Sequence, residues 1–331
     1  MVKSARGIRD TAYKYATALL GSSAFVFIFV IAAVLIIFSY PSIVVYGRSF
    51  LTTIVWNPAL SSNLIQVHGF PAMSGASYGV LVFLAGTLIS SVLALLIGVP
   101  AGLGISIFLA QVAPKKVAGP VSFLTELLAG IPSVIYGFWG ILVLGPFLLY
   151  TLEPALAHYL SFMPWFSGPV YSSGMLASGV ILALMIVPII ASISRDAMLQ
   201  TPESLKDGGR ALGLTDWEIM RKIIIPYSKS GIVGSIVLGL GRALGETMAV
   251  AMVSGASVNI LPKTFFYPIN TMAAFMVLNM DSAFTDPSAM FVHALVEMAA
   301  ILLLITMAVN IIARARVRHG FVSSSEGLVR V

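Results

Sequence analysis

The chain contains 331 residues, of which 58% are hydrophobic and only 10% are charged. So few polar residues cannot cover the outside of a water-soluble protein of this length, and the absence of cysteine excludes a disulfide scaffold and thiolate chemistry. The formal net charge of +6 does not indicate nucleic acid binding, because the basic residues cluster beside apolar segments, as in membrane proteins. We therefore predict an integral membrane protein.

Six apolar segments are long enough to cross a bilayer as helices. They are predicted at 22–46, 77–111, 120–149, 172–198, 229–256 and 288–313. None has the strict alternation of barrel strands, so the predicted fold class is all-α and polytopic. The basic residues of 1–21 indicate a cytoplasmic tail, and Tyr13 and Tyr15 favour an interfacial helix there. The six-helix membrane domain is predicted at 22–313, and a second cytoplasmic tail is predicted at 314–331.

Basic residues distinguish the two sides of the predicted membrane domain. Four lie in the N-terminal tail, two between helices two and three, six between helices four and five, and four in the C-terminal tail. The opposite connections contain only Arg48 and Lys263, so the positive-inside rule predicts that both termini are cytoplasmic. Aromatic residues such as Trp56, Trp165 and Tyr267 flank the spans on that opposite side. They are typical of a membrane-interface belt, with a docking surface for a receptor as the alternative.

The sequence contains none of the common catalytic motifs. It has no phosphate-binding P-loop, no H-E-x-x-H and no G-x-S-x-G, and its four histidines are scattered. We therefore expect no enzymatic activity, no cofactor and no metal site in this chain. The pairs Gly98/Gly102 and Gly241/Gly245 each lie four residues apart inside predicted helices, which predicts close helix–helix packing at both places.

The connection between helices four and five, centred on 199–228, is the longest on the basic side. Thr201 is a good N-cap, and a short helix is predicted from there to Leu212. Gly213 can adopt the left-handed conformation that ends such a helix.

A second helix is predicted directly after this glycine. Thr215 and Glu218 have the spacing of a capping box, in which each side chain accepts a hydrogen bond from the other residue's backbone N–H. Pro226 is predicted to interrupt the helix, because proline lacks an N–H donor and clashes with the preceding turn. The segment is therefore predicted to be a helix, a glycine corner and a second helix.

This segment resembles the cytoplasmic signature of permease subunits of ATP-binding-cassette importers. Gly213 fits the glycine of that signature, nine residues separate it from Ile223, and Pro226 fits the final proline. An Asp-Gly-Gly sequence at 207–209 stands where the family has Glu-Ala-Ala, and its two glycines weaken the first helix by roughly 1 kcal/mol each relative to alanine. In this family the segment is the coupling helix that docks onto the ATPase. The resemblance therefore implies docking residues Asp207, Gly208, Gly209, Leu212, Gly213, Leu214 and Pro226.

Two further stretches, TELLAGIPSVIYGFWG at 125–140 and GLGRALGETMAVAMVSG at 239–255, are similar to the permeases of phosphate importers in this family. The resemblance implies the type I importer permease fold and the import of inorganic phosphate by alternating access. It also implies three partners: a second, distinct permease subunit, a dimer of ATP-binding subunits that hydrolyses the ATP, and an extracytoplasmic phosphate-binding protein.

Two charges lie in the middle of predicted helix five. Arg242 is ~16 Å from the start of the span at Gly231, and Glu246, four residues on, is predicted to share its helix face. Charges at such depth usually mark a substrate pathway. The alternative is an Arg–Glu pair that only holds helices together.

The chemistry of these side chains suits phosphate. The planar fork of a guanidinium matches phosphate oxygens. Glu246 can accept the O–H of a protonated phosphate, which sulfate lacks at neutral pH, and Thr247 adds a hydroxyl. The sequence therefore predicts a substrate pathway at Arg242, Glu246 and Thr247.

Other functions fit less well. A secondary transporter with Glu246 as proton carrier would usually show inverted repeats, which are not apparent, and a membrane enzyme lacks a nucleophile and base. Glu126, six residues into predicted helix three, is consistent with a water-exposed or cap-like role or with a pathway role. Glu153, Asp281 and Asp286 are expected to be solvated in the outer loops.

Overall fold

The computed structural model describes residues 2–60 and 62–328, with side chains placed for all of these except 2–12, 115, 313–314 and 316–328. Most basic side chains of the two predicted tails fall outside the described side chains, as does that of Lys115. The helices, numbered in chain order, are α1 (Val2–Tyr46), α2 (Arg48–Thr52), α3 (Leu81–Val112), α4 (Lys115–Ala129), α5 (Ser133–Tyr159), α6 (Met175–Leu199), α7 (Glu203–Ala211), α8 (Asp216–Gly245), α9 (Met248–Val253), α10 (Met272–Phe284) and α11 (Met290–Leu328).

Six helices in the described part of the chain are long and apolar enough to cross a membrane, namely α1, α3, α5, α6, α8 and α11. The predicted number of spans is therefore confirmed. A two-stranded hairpin, β1 (Leu64–Val67) and β2 (Phe70–Met73), marks one end of the bundle, the hairpin end. His68 and Gly69 form its turn with positive φ angles of 51° and 84°, as a tight hairpin requires. The opposite end, which carries α7, is the basic end.

Helix α6 lies at the centre and packs against α3 and α8. Gly98 and Gly102 of α3 allow this approach, because a Cβ at either position would lie 2.8 Å from a side-chain carbon of Ile186 or Ile190. The close packing predicted for this pair of glycines is therefore confirmed.

The single helix predicted at 120–149 is wrong, because the structure has two helices there. Helix α4 ends at Ala129, and α5 begins at Ser133. Pro132 has no N–H to donate and disfavours a helical conformation for the residue before it, so the chain turns at this point. Glu126 consequently lies on the exposed side of α4, outside the spanning helix α5.

The predicted helix at 229–256 is also wrong at both ends. Pro226 does not interrupt α8, since a π turn at Met220–Ile224 widens the helix just before the proline ring and the helix continues through it. At the other end α8 stops at Gly245, and the backbone of Glu246 is extended, with φ −69° and ψ 128°. The short helix α9 then begins at Met248.

The connection predicted as an outer loop at 257–287 contains α10. Its 13 residues are only ~20 Å long, too short to span a bilayer. The start of α10 is buried against α3, where the Thr87 hydroxyl accepts a hydrogen bond from the Met272 N–H at 2.9 Å. The Thr271 hydroxyl caps the same helix by accepting the Ala274 N–H.

Trp56 does not lie in a membrane-interface belt as predicted, because only 5% of it is exposed. It contacts the rings of Tyr78, Phe83 and Phe275 in an aromatic core at the hairpin end. This core joins the segment before α3 to α10 and α11. Trp165, by contrast, is exposed as predicted.

Two acidic residues expected to be solvated are buried. Glu153 is 1% exposed and accepts a hydrogen bond from the Tyr171 N–H at 3.0 Å. Asp286 is 6% exposed and caps α11, where it accepts the Phe291 N–H at 2.8 Å. Burial, followed by the nearby charge of Asp286, raises the pKa of the Tyr78 hydroxyl well above its usual range. Asp281 is exposed, as expected.

Residues 2–21 of the predicted tail are continuous with the first span as part of α1. Most of α1 is exposed, and it packs on α11. The Ser42 hydroxyl donates to the buried Glu297 carboxylate at 2.5 Å, and Nδ1 of His293 lies 2.7 Å from the Phe38 carbonyl oxygen.

Candidate translocation and coupling sites

Arg242 lies in the last turn of α8, about 20 Å beyond Lys229 along the helix axis. Its side chain is half-buried, and its Nε is enclosed without a hydrogen-bond acceptor among the described residues. No described carboxylate oxygen lies within 4 Å of its guanidinium. No described carboxylate therefore neutralises this guanidinium.

Glu246 and Thr247 occupy the break between α8 and α9. Because the backbone is extended at Glu246, this residue does not continue the helix face of Arg242, and that prediction is wrong. The Glu246 carboxylate instead accepts a hydrogen bond from the Ala249 N–H at 3.3 Å, at the start of α9. The three predicted pathway residues thus lie within a stretch of six residues, 242–247, and both side chains after the break are half-buried.

The helix face beside Arg242 is open, contrary to the close packing predicted for Gly241 and Gly245. A Cβ at Gly234, Gly241 or Gly245 would meet no atom within 4 Å. At about 100° per residue these three glycines share one face with Leu238, which is 55% exposed, and Arg242 lies at its edge. We call Gly234, Gly241 and Gly245 the glycine face of α8. The glycine on the other side of the helix, Gly239, packs against Ile190 of α6.

Tyr136 of α5 is a neighbour of Arg242 that the sequence analysis did not identify. It lies within Coulombic range of the guanidinium, and its hydroxyl donates to the Leu128 carbonyl oxygen at 2.9 Å. This hydrogen bond joins α4 and α5 across the break at Pro132. An apolar groove of about 350 Å³ adjoins the tyrosine, lined by Leu128, Ile131, Ile135, Tyr136, Trp139 and Leu184. No sequence signal distinguished this tyrosine, because it comes near Arg242 only through the packing of α5 on α9.

The glycine corner after α7 has the predicted backbone. Gly213 has φ +80°, and its N–H donates to the Arg210 carbonyl oxygen at 2.9 Å. The Leu214 N–H donates to the Gly209 carbonyl oxygen at 3.1 Å, which completes a Schellman motif. The left-handed conformation predicted for Gly213 is confirmed.

The two helix starts of this segment differ in how well they were predicted. The capping box is confirmed: the Thr215 N–H donates to the Glu218 carboxylate at 3.1 Å, and the Glu218 N–H donates to the Thr215 hydroxyl at 3.3 Å. The N-cap predicted at Thr201 is wrong. Its hydroxyl is buried without a partner in the described structure, because α7 begins after Pro202.

The two glycines at 208–209 have separate roles. A Cβ at Gly209 would lie 2.7 Å from Cδ1 of Ile223, so this glycine lets α7 lie close to α8. A Cβ at Gly208 would meet nothing within 4 Å. Glycine weakens a helix relative to the alanine that the family has at this position. The close contact with Ile223 explains why glycine is present at 209 despite that cost.

The predicted docking residues divide into a supporting set and an exposed set. Gly209 and the half-buried Leu214 support the corner, and Leu214 packs beside Ile224. Leu212 is 83% exposed, and the neighbouring Trp217, which the sequence analysis did not select, is 65% exposed. The remaining members are exposed, namely Asp207, Gly208, Gly213 and Pro226.

An exposed leucine and tryptophan on a polar corner are costly in water and typical of a protein interface. Exposed ion pairs surround them, with Arg210 bonded to Asp207 at 2.9 Å and Lys222 bonded to Glu218 at 2.9 Å. The corner is thus a rigid, apolar-tipped projection at the basic end. In the described part of the chain no group of three or more histidine, aspartate or glutamate side chains could hold a metal ion.

Six spanning helices, a helix break beside a membrane-depth arginine and a rigid corner at one end define a multi-pass membrane permease. Residues 102–319 match the family model described as binding-protein-dependent transport system inner membrane component. The chain belongs to this family, and the predicted permease fold and permease role are confirmed.

Curated relatives cover most of the chain. The chain is 42% identical over 278 residues to "Phosphate transport system permease protein PstC 1" of Mycobacterium tuberculosis, covering 82% of each sequence. It is 37% identical over 309 residues to "Phosphate transport system permease protein PstC" of Haemophilus influenzae, covering 92% of each. Among solved structures, an inward-facing MetNI methionine ABC transporter matches with a TM-score of 0.47 and 22% identity, over 72% of this chain and 94% of that one.

Proposed function

We propose that this chain is a permease subunit of an ATP-driven importer that moves inorganic phosphate into the cytoplasm by alternating access. The observation that carries the proposal is the identity of 37% to 42%, over most of the chain, with permeases named for phosphate transport. In the proposed orientation both termini and the glycine corner face the cytoplasm, as the distribution of basic residues predicts.

Arg242 is the proposed anion ligand. Its guanidinium lies at membrane depth and is not neutralised by any described carboxylate, so it remains available to an entering anion. A planar guanidinium binds two phosphate oxygens at once, whereas an ammonium acts as a point charge. The open glycine face beside it leaves room for the anion to approach.

Glu246 is the proposed selectivity residue, and Thr247 adds a hydroxyl to the proposed pathway. The break takes the backbone of Glu246 out of the α8 helix, four residues after Arg242, and its carboxylate accepts the Ala249 N–H. A carboxylate accepts the O–H of hydrogen phosphate and repels sulfate, which carries no proton at neutral pH. Discrimination by a proton on the substrate therefore requires the charge of Glu246 as well as that of Arg242.

Three partners complete the proposed importer. A dimer of ATP-binding subunits hydrolyses the ATP and contacts the glycine corner through Leu212 and Trp217, whose exposure supports this role. A PstA-like second permease subunit forms the pathway together with this chain. An extracytoplasmic phosphate-binding protein delivers substrate at the hairpin end. The surrounding membrane lipid covers the exposed apolar helices.

The test is phosphate uptake into vesicles containing this chain, with the candidate partners added one at a time. We expect uptake only with ATP inside the vesicles and with the second permease and the ATP-binding subunit both present. Uptake by this chain alone, driven by a proton gradient, would contradict the proposal and favour a secondary transporter. Sulfate uptake at the same rate as phosphate would contradict the substrate assignment.

A further inference from the structure

Two interruptions of the helical backbone lie close together in the bundle. The first separates α4 from α5 at Pro132, and the second separates α8 from α9 at Glu246. Helix α5 packs on α9, and a Cβ at Gly137 would lie 3.3 Å from Cα of Ala249. Non-helical backbone at membrane depth is tolerated where protein buries it or where it lines a cavity. Side chains beside this contact are therefore suited to act as further ligands of the substrate.

Arg242 needs additional hydrogen-bonding groups to hold phosphate. A guanidinium fork binds two phosphate oxygens and leaves the others without a partner. The carboxylate of Glu246 only accepts hydrogen bonds, whereas a hydroxyl both donates and accepts, which suits an anion that carries an O–H group as well as bare oxygens. Tyr136 supplies such a hydroxyl from a different helix, within Coulombic range of Arg242.

The hydroxyl of Tyr136 is held by a bond that it can leave. It donates to the Leu128 carbonyl oxygen at 2.9 Å, across the break between α4 and α5. The same oxygen also accepts the Ile131 N–H at 3.3 Å, so departure of the hydroxyl does not leave a backbone acceptor unpaired. The apolar groove lined by Tyr136 provides open space into which the ring can move.

We propose that the Tyr136 hydroxyl leaves the Leu128 carbonyl oxygen and donates to a phosphate oxygen when phosphate binds Arg242. A hydrogen bond to an ion is stronger than one to a carbonyl group, so an anion at the guanidinium competes for this donor, and the proton stays on the phenolic oxygen. The inference rests on the proposed function for the identity of the substrate. It adds a ligand from α5, and it makes the side-chain bond across the break at Pro132 depend on whether phosphate is bound.

The first test removes the hydroxyl and measures phosphate uptake into vesicles that contain the complete assembly. Tyr136→Phe should lower the maximal rate of uptake by about tenfold, because a hydrogen bond to an ionised group is lost. Tyr150→Phe is the matched control, since it is the same substitution on the same helix at a residue that is 78% exposed. This control should transport at the wild-type rate. A wild-type rate for Tyr136→Phe would overturn the proposal.

The second test distinguishes a substrate ligand from a structural brace. Infrared spectra are recorded for the assembled complex with ¹³C-labelled tyrosine rings in this chain, before and after addition of inorganic phosphate. The tyrosine C–O stretching band depends on the partner of the hydroxyl, so phosphate should shift one band in the wild-type protein and in Tyr150→Phe. The shift should be absent from Tyr136→Phe and from Arg242→Gln. A tyrosine spectrum that phosphate leaves unchanged would show that Tyr136 only braces α4 against α5, and would overturn the proposal.

These outcomes separate the tyrosine ligand from the importer assignment. If the wild-type assembly takes up no phosphate with ATP, the substrate assignment fails and the tyrosine ligand fails with it. If uptake is lost in Arg242→Ala but not in Tyr136→Phe, only the tyrosine ligand fails. The unfolding temperature of each variant in detergent is measured alongside, so that a folding defect is recognised.

Discussion

Two pairs of glycines with the same spacing have opposite surroundings in this protein. Isoleucine side chains of α6 fill the space beside Gly98 and Gly102 on α3, whereas Gly241 and Gly245 on α8 face open space. The first pair holds the bundle together, and the second lies beside the unneutralised Arg242. The comparison teaches that a small-residue pair predicts a close approach without telling whether the approaching helix belongs to the same chain. The predictions below test this contrast between packed and open surfaces.

The largest expected effect is on folding. Gly102→Leu should destabilise the isolated chain by about 3 kcal/mol, because its Cβ would lie 2.9 Å from Cβ of Ile190, an atom that cannot move aside easily. Gly241→Leu should leave the unfolding temperature in detergent unchanged or slightly higher, since leucine favours helix and a Cβ at this position meets no described atom within 4 Å. Equal destabilisation by both variants would remove the contrast.

The next effect concerns transport through the open side. Arg242→Ala should lower phosphate uptake by about 100-fold or more while membrane insertion is retained, because removing a costly charge eases insertion. Arg242→Lys should keep only part of the activity, since an ammonium lacks the planar fork. Uptake in reconstituted vesicles measures both, and normal transport by the alanine variant would exclude a substrate role for this residue.

The glycine corner is a second exposed surface, and its shape depends on the left-handed backbone conformation of Gly213. Gly213→Val places a β-branched residue at φ +80°, with an expected local cost of about 2 kcal/mol. The spans should be unaffected, while ATPase association weakens or ATP hydrolysis no longer drives uptake. Pull-down of the ATP-binding subunit and vesicle uptake are measured together. Wild-type values in both would show that the corner is only a connector.

Trp217 tests whether exposure at this corner reflects docking. Trp217→Ala should weaken binding of the ATP-binding subunit by about tenfold, because a large aromatic side chain is lost from the centre of the interface. Trp165→Ala is the matched control, since this tryptophan is similarly exposed, at 57% against 65%, but lies at the hairpin end. Binding measured with detergent-solubilised protein should change only for the first variant. Equal effects would indicate a general loss of stability.

The smallest expected effect is on selectivity. Glu246→Gln should retain phosphate binding but lower the preference for phosphate over sulfate several-fold, because the repulsion of an unprotonated anion is lost. Competition of sulfate with phosphate uptake measures this preference. Unchanged phosphate transport together with unchanged sulfate exclusion would leave Glu246 as a helix cap only.

The sequence by itself determined the features that depend on neighbouring residues. Six apolar runs were sufficient to predict the number of spans, because each span must satisfy its own backbone hydrogen bonds in lipid. The left-handed Gly213 and the capping box of Thr215 and Glu218 were predicted correctly, since their hydrogen bonds join residues no more than five apart.

Only the tertiary structure decided which polar and aromatic residues are buried and where helices break. The sequence predicts that Trp56, Glu153 and Asp286 lie in loops, but contacts with other segments bury all three. The break at Glu246 has no proline, although it directly follows Gly245, and it separates the carboxylate from the helix face of Arg242. Packing against non-adjacent helices selects among conformations that local propensity leaves nearly equal in free energy. The spans could therefore be predicted from the sequence, whereas the geometry of the candidate pathway could not.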